Sequence, residues 1–155
     1  MIYLASTSPR RKALLRQAGI HFRVVKPNYE EDSCLKGSPA RIVQMHAMKK
    51  AESSRPRVTD GVILAADTLV YLKGRVIGKP GTMKAARLAL GELQGRWHSV
   101  YTGVAIVRLA RGRITKKTVF YEKTRVRLRT LAPQEIDRYF RRVYPLDKAG
   151  AYAIQ

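Results

Sequence analysis

Ile2-Tyr3-Leu4-Ala5-Ser6-Thr7-Ser8-Pro9-Arg10-Arg11 opens the chain. The apolar run Ile2 to Ala5 predicts a short strand. Ser8 is a favourable N-cap, and Pro9 suits the first helical position. The helix then passes through Leu14 and Leu15 and stops near Gly19, a residue favoured just past a helix end. A strand therefore hands over to a helix N-terminus through two serines. Backbone N–H groups and the positive end of the helix dipole favour an anion at such a junction. Arg10 and Arg11 place positive charge at the helix end where it is unfavourable. A phosphate group in front of the junction would resolve that conflict.

Beyond this junction, His21 to Lys26 predicts a second strand, and Pro27 to Gly37 a loop with Glu30 and Glu31. Ser38-Pro39 repeats the cap-then-proline signal, so a helix is expected to about Ser53. Its apolar positions, Ile42, Val43, Met45, Ala47 and Ala51, are only roughly helical in period. Val62 to Leu72 is the strongest strand. Nine of its eleven residues are apolar, which predicts burial on both faces. Lys73-Gly74 turns into a returning strand, Arg75 to Ile77. Thr82 caps a helix to Leu93. His98 to Leu109 and Arg113 to Arg127 predict a long hairpin turning at Arg111-Gly112. Pro133 to Val143 predicts a helix with Ile136, Tyr139 and Phe140 on one face, and Pro145 to Gln155 an extended segment. The intermixed helices and strands argue for an α/β fold with a mixed sheet. The 155 residues suit a single domain over 1–155, with two lobes.

Thirty-one basic residues against eleven acidic ones give a formal net charge of +20. Such an excess favours polyanions, so nucleic acid held non-specifically is an expected partner. No apolar run reaches the ~18 residues of a membrane span. The N-terminus has no signal-peptide pattern, and the single cysteine, Cys34, suits a reducing cytoplasm.

With so few carboxylates, one in an apolar setting is informative. Asp67 interrupts Leu64-Ala65-Ala66 and Leu69-Val70. A buried, unpaired carboxylate is costly. Asp67 is therefore either paired with a cation or faces a polar cleft, where it deprotonates water or binds a metal. Thr68 points to the opposite face of a regular strand. Arg11 shares a helical stripe with Leu14, Leu15 and Ala18, which predicts a core-facing stripe headed by an arginine. Lys79, in Gly78-Lys79-Pro80, sits on a constrained turn that can hold an ammonium against phosphate. Lys49 and Lys50 are compatible with site or surface. His21, His46 and His98 have no metal-site spacing and read as structural or surface residues. There is no Walker-type loop and no dinucleotide-binding glycine pattern. Serines, arginines and lysines for phosphate, with scarce carboxylates for metal and base, suit hydrolysis of a nucleotide phosphoanhydride.

Five segments together resemble the Maf family of nucleoside triphosphate pyrophosphatases. They are Leu4 to Arg11, Ala65-Ala66-Asp67-Thr68, Gly78-Lys79-Pro80, His98-Ser99-Val100-Tyr101-Thr102-Gly103-Val104, and Pro145 to Gln155, in family order across essentially the whole chain. The resemblance implies a two-lobed, inosine-triphosphatase-like α/β fold, with an elongated mixed sheet and the site in a cleft between lobes. It implies cleavage between the α- and β-phosphates, with Asp67 as proton acceptor. Ser6, Ser8, Arg11, Lys50 and Lys79 would bind substrate. Glu31, taken in preference to Glu30, would hold a divalent cation (Mg²⁺ or Mn²⁺) together with Asp67. Arg10, Thr68 and Gln155 match positions associated with base selection. The Asp67 and Asp147 segments look like the branch acting on dTTP and UTP. The alternatives are 7-methyl-GTP or another purine nucleotide, and, in another class, a basic nucleic-acid-binding or division-associated protein. The expected partners are a nucleoside triphosphate and a second copy of the chain. Family members continue for ~35–45 residues past the glutamine, judged from ordinary element lengths, so the sequence reads as lacking the C-terminal segment.

Overall fold

The computed structural model describes residues 1–31 and 37–153. The elements in chain order are β1 (Ile2–Leu4), α1 (Pro9–Gln17), β2 (Phe22–Val24), α2 (Pro39–Ser54), β3 (Gly61–Leu72), β4 (Arg75–Ile77), α3 (Met83–Leu93), β5 (Trp97–Ala110), β6 (Arg113–Arg127) and α4 (Pro133–Arg142). The strands form a sheet of order β2-β1-β3-β5-β6, with β4 also on β3. Strand β1 runs parallel to β2 and β3, and β4 antiparallel to β3. The expected α/β fold with a mixed sheet is borne out. Both two-residue turns hold their residues at positive φ, Lys73 and Gly74 at 46° and 84°, Arg111 and Gly112 at 50° and 71°. Left-handed residues match the twist of the strands they join. Among the described residues, no helix is long and apolar enough to cross a membrane.

The chain divides into two compact units, Met1–Asp67 with Thr102–Glu122, and Thr68–Tyr101 with Lys123–Gln155. In the first, Ala47 and Ala51 of α2 pack with Ile63 and Ala65 of β3 and with Ala105 and Val107 of β5. Helix α2 starts at Pro39 behind Ser38, whose hydroxyl accepts from the Arg41 N–H at 3.3 Å. Ile42 is buried, and the other buried positions, Val43, His46, Ala47, Lys50, Ala51 and Ser54, follow an i, i+3, i+4, i+7 stripe. The apolar period looked irregular because polar residues hold three places in that stripe. A Cβ on the buried Gly103 of β5 would lie 2.3 Å from the Val43 backbone carbonyl. Backbone cannot rotate away as a side chain can, so only glycine lets α2 lie this close to the sheet. Gly103→Ala is expected to lower unfolding free energy by about 1–3 kcal/mol, the usual range for overpacking. Urea unfolding followed by circular dichroism measures it.

Two expectations need correction here. Strand β3 is not fully buried on both faces. Ile63, Ala65, Asp67 and Leu69 are buried, while the residues between them are half-buried, because α2 packs on one face only. The stripe of α1 does not face a core either. This helix has no fully buried residue, Arg11 being half-buried, and it leaves Leu14 54% exposed. Three apolar residues among four cations give it too little apolar surface to dock.

In the second unit, Ala86 and Leu90 of α3 pack with Ile136 and Phe140 of α4 and with Ala151. The segment after α4 is not extended. It closes in a 3-10 turn, Ala149–Ala151, with Gly150 at φ 68°. A Cβ there would lie 2.9 Å from Leu93 Cδ1, so a side chain would need the Leu93 side chain to shift, on top of the strain of the positive φ. His98 is buried, with Nε2 2.6 Å from the Tyr152 hydroxyl, and its ring stands edge-on to that tyrosine. Burial pushes the His98 imidazole below its ordinary 6.5, opposed by the Arg96 backbone. Burial also pushes the Tyr152 phenol up to about 12. A neutral folded histidine gives stability that is complete above pH 6.5. That stability is lost as pH falls through 6.5 towards the depressed folded value, since the unfolded chain takes up the proton first. His98→Gln is expected to flatten this slope between pH 7.5 and 5, as read from thermal midpoints.

Candidate active site

The site is built in the first unit from the end of β1, the middle of β3 and the buried stripe of α2. Leu4 and Leu64 are register partners in the parallel ladder, and the Ala5 N–H donates to the Leu64 carbonyl at 2.8 Å. This pairing sets Ser6, just past β1, beside the stretch of β3 that reaches Asp67. Ser6 is buried. Its hydroxyl oxygen accepts the Ser8 N–H at 3.2 Å and the Arg11 Nη1 at 3.3 Å. Ser8 stands at the N-cap of α1, with Pro9 behind it, but its side chain caps nothing. Its backbone is turned to Ser6 instead.

Lys50 is the centre of the arrangement. It is 6% exposed, and so is Asp67. Its ammonium donates to Asp67 Oδ1 and to Glu31 Oε1, each at 2.6 Å. The Lys50 carbonyl accepts the Ser54 hydroxyl at 2.9 Å. Burial pushes the Arg11 guanidinium down from its ordinary range. The charges of Asp67 and Glu31 oppose that shift and Arg10 adds to it. Arg11 therefore lies within the field of both carboxylates. Two carboxylates, one ammonium and one guanidinium cancel in formal charge.

With its carboxylates already balanced by Lys50 and Arg11, the cluster has no surplus positive charge of its own to offer a polyanion, and a divalent cation would supply it. Carboxylate oxygens are the donors Mg²⁺ and Mn²⁺ prefer, and Mg²⁺ is ordinarily held by one or two carboxylates with phosphate and water completing its shell. Glu31 Oε1 and Asp67 Oδ1 both meet the Lys50 ammonium, each at 2.6 Å, so the two carboxylates stand close enough together to share a divalent cation beside that ammonium. Among the described residues, no group of three or more His, Cys, Asp or Glu side chains comes together, so phosphate and water would complete the set.

The structure thus brings together Ser6, the Ser8 backbone, Arg11, Glu31, Lys50 and Asp67. Glu31, not Glu30, is on Lys50. Arg10 is on α1 and half-buried. Thr68, next on β3, and Lys79, exposed in the loop after β4, belong to the second unit. Gln155 and Cys34 lie outside the described residues. Sequence reasoning missed His46, buried one turn before Lys50 and hydrogen-bonded to Tyr29. Its signal was there: a histidine and a lysine four apart, on the stripe carrying Val43, Ala47 and Ala51.

Residues 1–155 match the family described as Maf-like protein. The chain belongs to this family. It is 40% identical over 155 residues to the dTTP/UTP pyrophosphatase of Dictyoglomus thermophilum, covering 99% of this chain and 79% of that protein. It is 44% identical over 155 residues to the dTTP/UTP pyrophosphatase of Gloeobacter violaceus, covering 99% and 78%. In structure it resembles a HAM1 protein from Coxiella burnetii, with a TM-score of 0.52 and 20% identity over 80% of this chain and 70% of that one. The Staphylococcus aureus Ham1 protein is similar at TM-score 0.51 and 16% identity, over 80% and 69%. These two likenesses concern the fold, and they agree with the fold that the Maf resemblance implied.

Proposed function

We propose that this Maf-family chain hydrolyses dTTP and UTP to the nucleoside monophosphate and pyrophosphate. The observation that carries the reading is the buried Lys50 shared by Asp67 and Glu31, beside a serine–arginine junction at a helix N-terminus. Family relatives named dTTP/UTP pyrophosphatases support the choice of substrate.

The triphosphate lies at the N-terminus of α1, where backbone dipoles favour it. Arg11 and the Ser6 hydroxyl hold phosphate oxygens, and Arg10 adds charge at the rim. Asp67, held in place by the Lys50 ammonium, takes the proton of the attacking water. The new bond forms from the water oxygen to phosphorus as the bridge between the α- and β-phosphates breaks, and the electron pair leaves with the phosphate it releases. Glu31 and Asp67 would hold a divalent cation, which when bound would supply charge neutralisation and a more acidic water. Lys50 fixes both carboxylates before substrate arrives, so little reorganisation is left for the reaction itself. Thr68 and Lys79 belong to the second unit and take no part in the geometry behind this reading.

Pyrophosphate release from dTTP, UTP and 7-methyl-GTP in the presence of Mg²⁺ tests the proposal. Turnover of dTTP and UTP is expected. Turnover of 7-methyl-GTP alone would overturn the pyrimidine assignment, and turnover of none would overturn the activity.

A further inference from the structure

Glu31 poses a problem that the reaction scheme leaves open. Asp67 and Lys50 stand on a strand and a helix, both anchored in the core. Glu31 stands on a stretch, residues 27–31, that belongs to no helix or strand, and its side chain is 37% exposed. A long side chain on irregular backbone loses much freedom when fixed in one place. A group that must meet a cation in register with Asp67 needs its backbone held.

We propose that Tyr29 and His46 form a latch that sets Glu31 on Lys50 and so completes the carboxylate pair for the divalent cation. The inference rests on the function proposed above. The Tyr29 hydroxyl and His46 Nδ1 share a hydrogen bond of 2.7 Å, with ring centroids 5.8 Å apart. His46 is 5% exposed, within the buried stripe of α2. Its ring is fixed by packing and offers a rigid point of attachment. Lys49 Nζ lies 5.7 Å from the centre of the Tyr29 ring, on the ring face that attracts a cation. One turn of α2 therefore grips the irregular stretch at two places. His46 and Lys49 take Tyr29, and Lys50 takes Glu31 two residues on. Tyr29 and His46 are positioning residues: they act on the cation only through Glu31.

Mn²⁺ binding to the nucleotide-free protein, followed by electron paramagnetic resonance, tests the latch without turnover. Tyr29→Phe removes only the hydroxyl. It is expected to weaken Mn²⁺ binding about tenfold, the scale for residues that orient a metal ligand, with the folded circular-dichroism spectrum retained. Glu31→Gln is expected to weaken binding at least as much, and Tyr29→Phe added to Glu31→Gln to cause no further loss. His46→Gln serves as an independent variant with the same expected pattern should Tyr29→Phe not fold. The latch is overturned if either variant binds Mn²⁺ like the wild type. It is overturned equally if the loss persists at full size on top of Glu31→Gln, or if the wild type binds no Mn²⁺. A wild type that binds Mn²⁺ but hydrolyses neither dTTP nor UTP overturns the proposed function, and the latch is then judged on the binding data alone.

Discussion

Asp67→Asn is expected to lower the turnover of dTTP by about a hundredfold or more, with the protein still folded. The estimate is the usual contribution of a positioned general base. Asparagine has the size of aspartate and can still accept a hydrogen bond from Lys50 through its carbonyl oxygen. It cannot take a proton from water. The substitution removes one negative charge from a buried ion pair, yet Lys50 keeps Glu31 as a partner at 2.6 Å, so no ammonium is left buried alone. The loss should therefore fall on kcat rather than on expression or thermal midpoint. Steady-state kinetics with saturating Mg²⁺ checks it, and added metal separates the two roles given to Asp67. If excess Mg²⁺ restores the variant to wild-type kcat, Asp67 is a cation ligand and not the base. If kcat stays low at every metal concentration, proton transfer is the missing step. Full activity at ordinary Mg²⁺ would remove Asp67 from the chemistry altogether.

The opening junction was legible from sequence because its signals are local. Ser8, Pro9 and the run Ile2 to Ala5 place β1 and the start of α1 without reference to anything distant. The same holds for the two hairpins, where a glycine at the second turn position is enough. Asp67 was legible as an anomaly, a carboxylate in an apolar strand, and its position predicted either a cation partner or a functional cleft. It has Lys50 on it at 2.6 Å, on the face that α2 covers. The partner itself was not legible. Lys50 lies 17 residues from Asp67 and 19 from Glu31, and a lysine on a helix ordinarily marks the solvent side. Only the stripe as built, with His46, Lys50 and Ser54 among alanines and valine, shows that this lysine points inward. Arg11 was singled out from sequence on the expectation of a core-facing stripe, and that expectation did not hold. Its helix docks no apolar face, and Arg11 is instead tied to the buried Ser6 and lies in the field of Asp67 and Glu31.

Removing the ammonium is the stronger perturbation. Lys50→Met keeps most of the aliphatic stem in the stripe of α2 but leaves the Asp67 carboxylate buried without its partner. Breaking a buried ion pair on one side destabilises by about 3–5 kcal/mol, so this variant should lose a large part of its folding free energy at neutral pH along with its activity. The pH dependence identifies the cause. Without the ammonium, the buried carboxylate favours its neutral form, and its folded pKa rises above that of the unfolded chain. Protonation then relieves the folded state, so the gap to the wild type should narrow as pH falls from 7 towards 5. A simple loss of packing would leave the gap unchanged. Chemical denaturation at a series of pH values separates the two. The double variant Lys50→Met/Asp67→Leu carries the argument further. Replacing both members of a buried pair by apolar groups is often neutral or stabilising. Much of the lost stability should therefore return, with no return of pyrophosphate release. That outcome would show that the buried pair is held in place for the reaction and not for the fold. Recovery of both stability and activity would instead place the proton acceptor outside the Lys50–Asp67 pair.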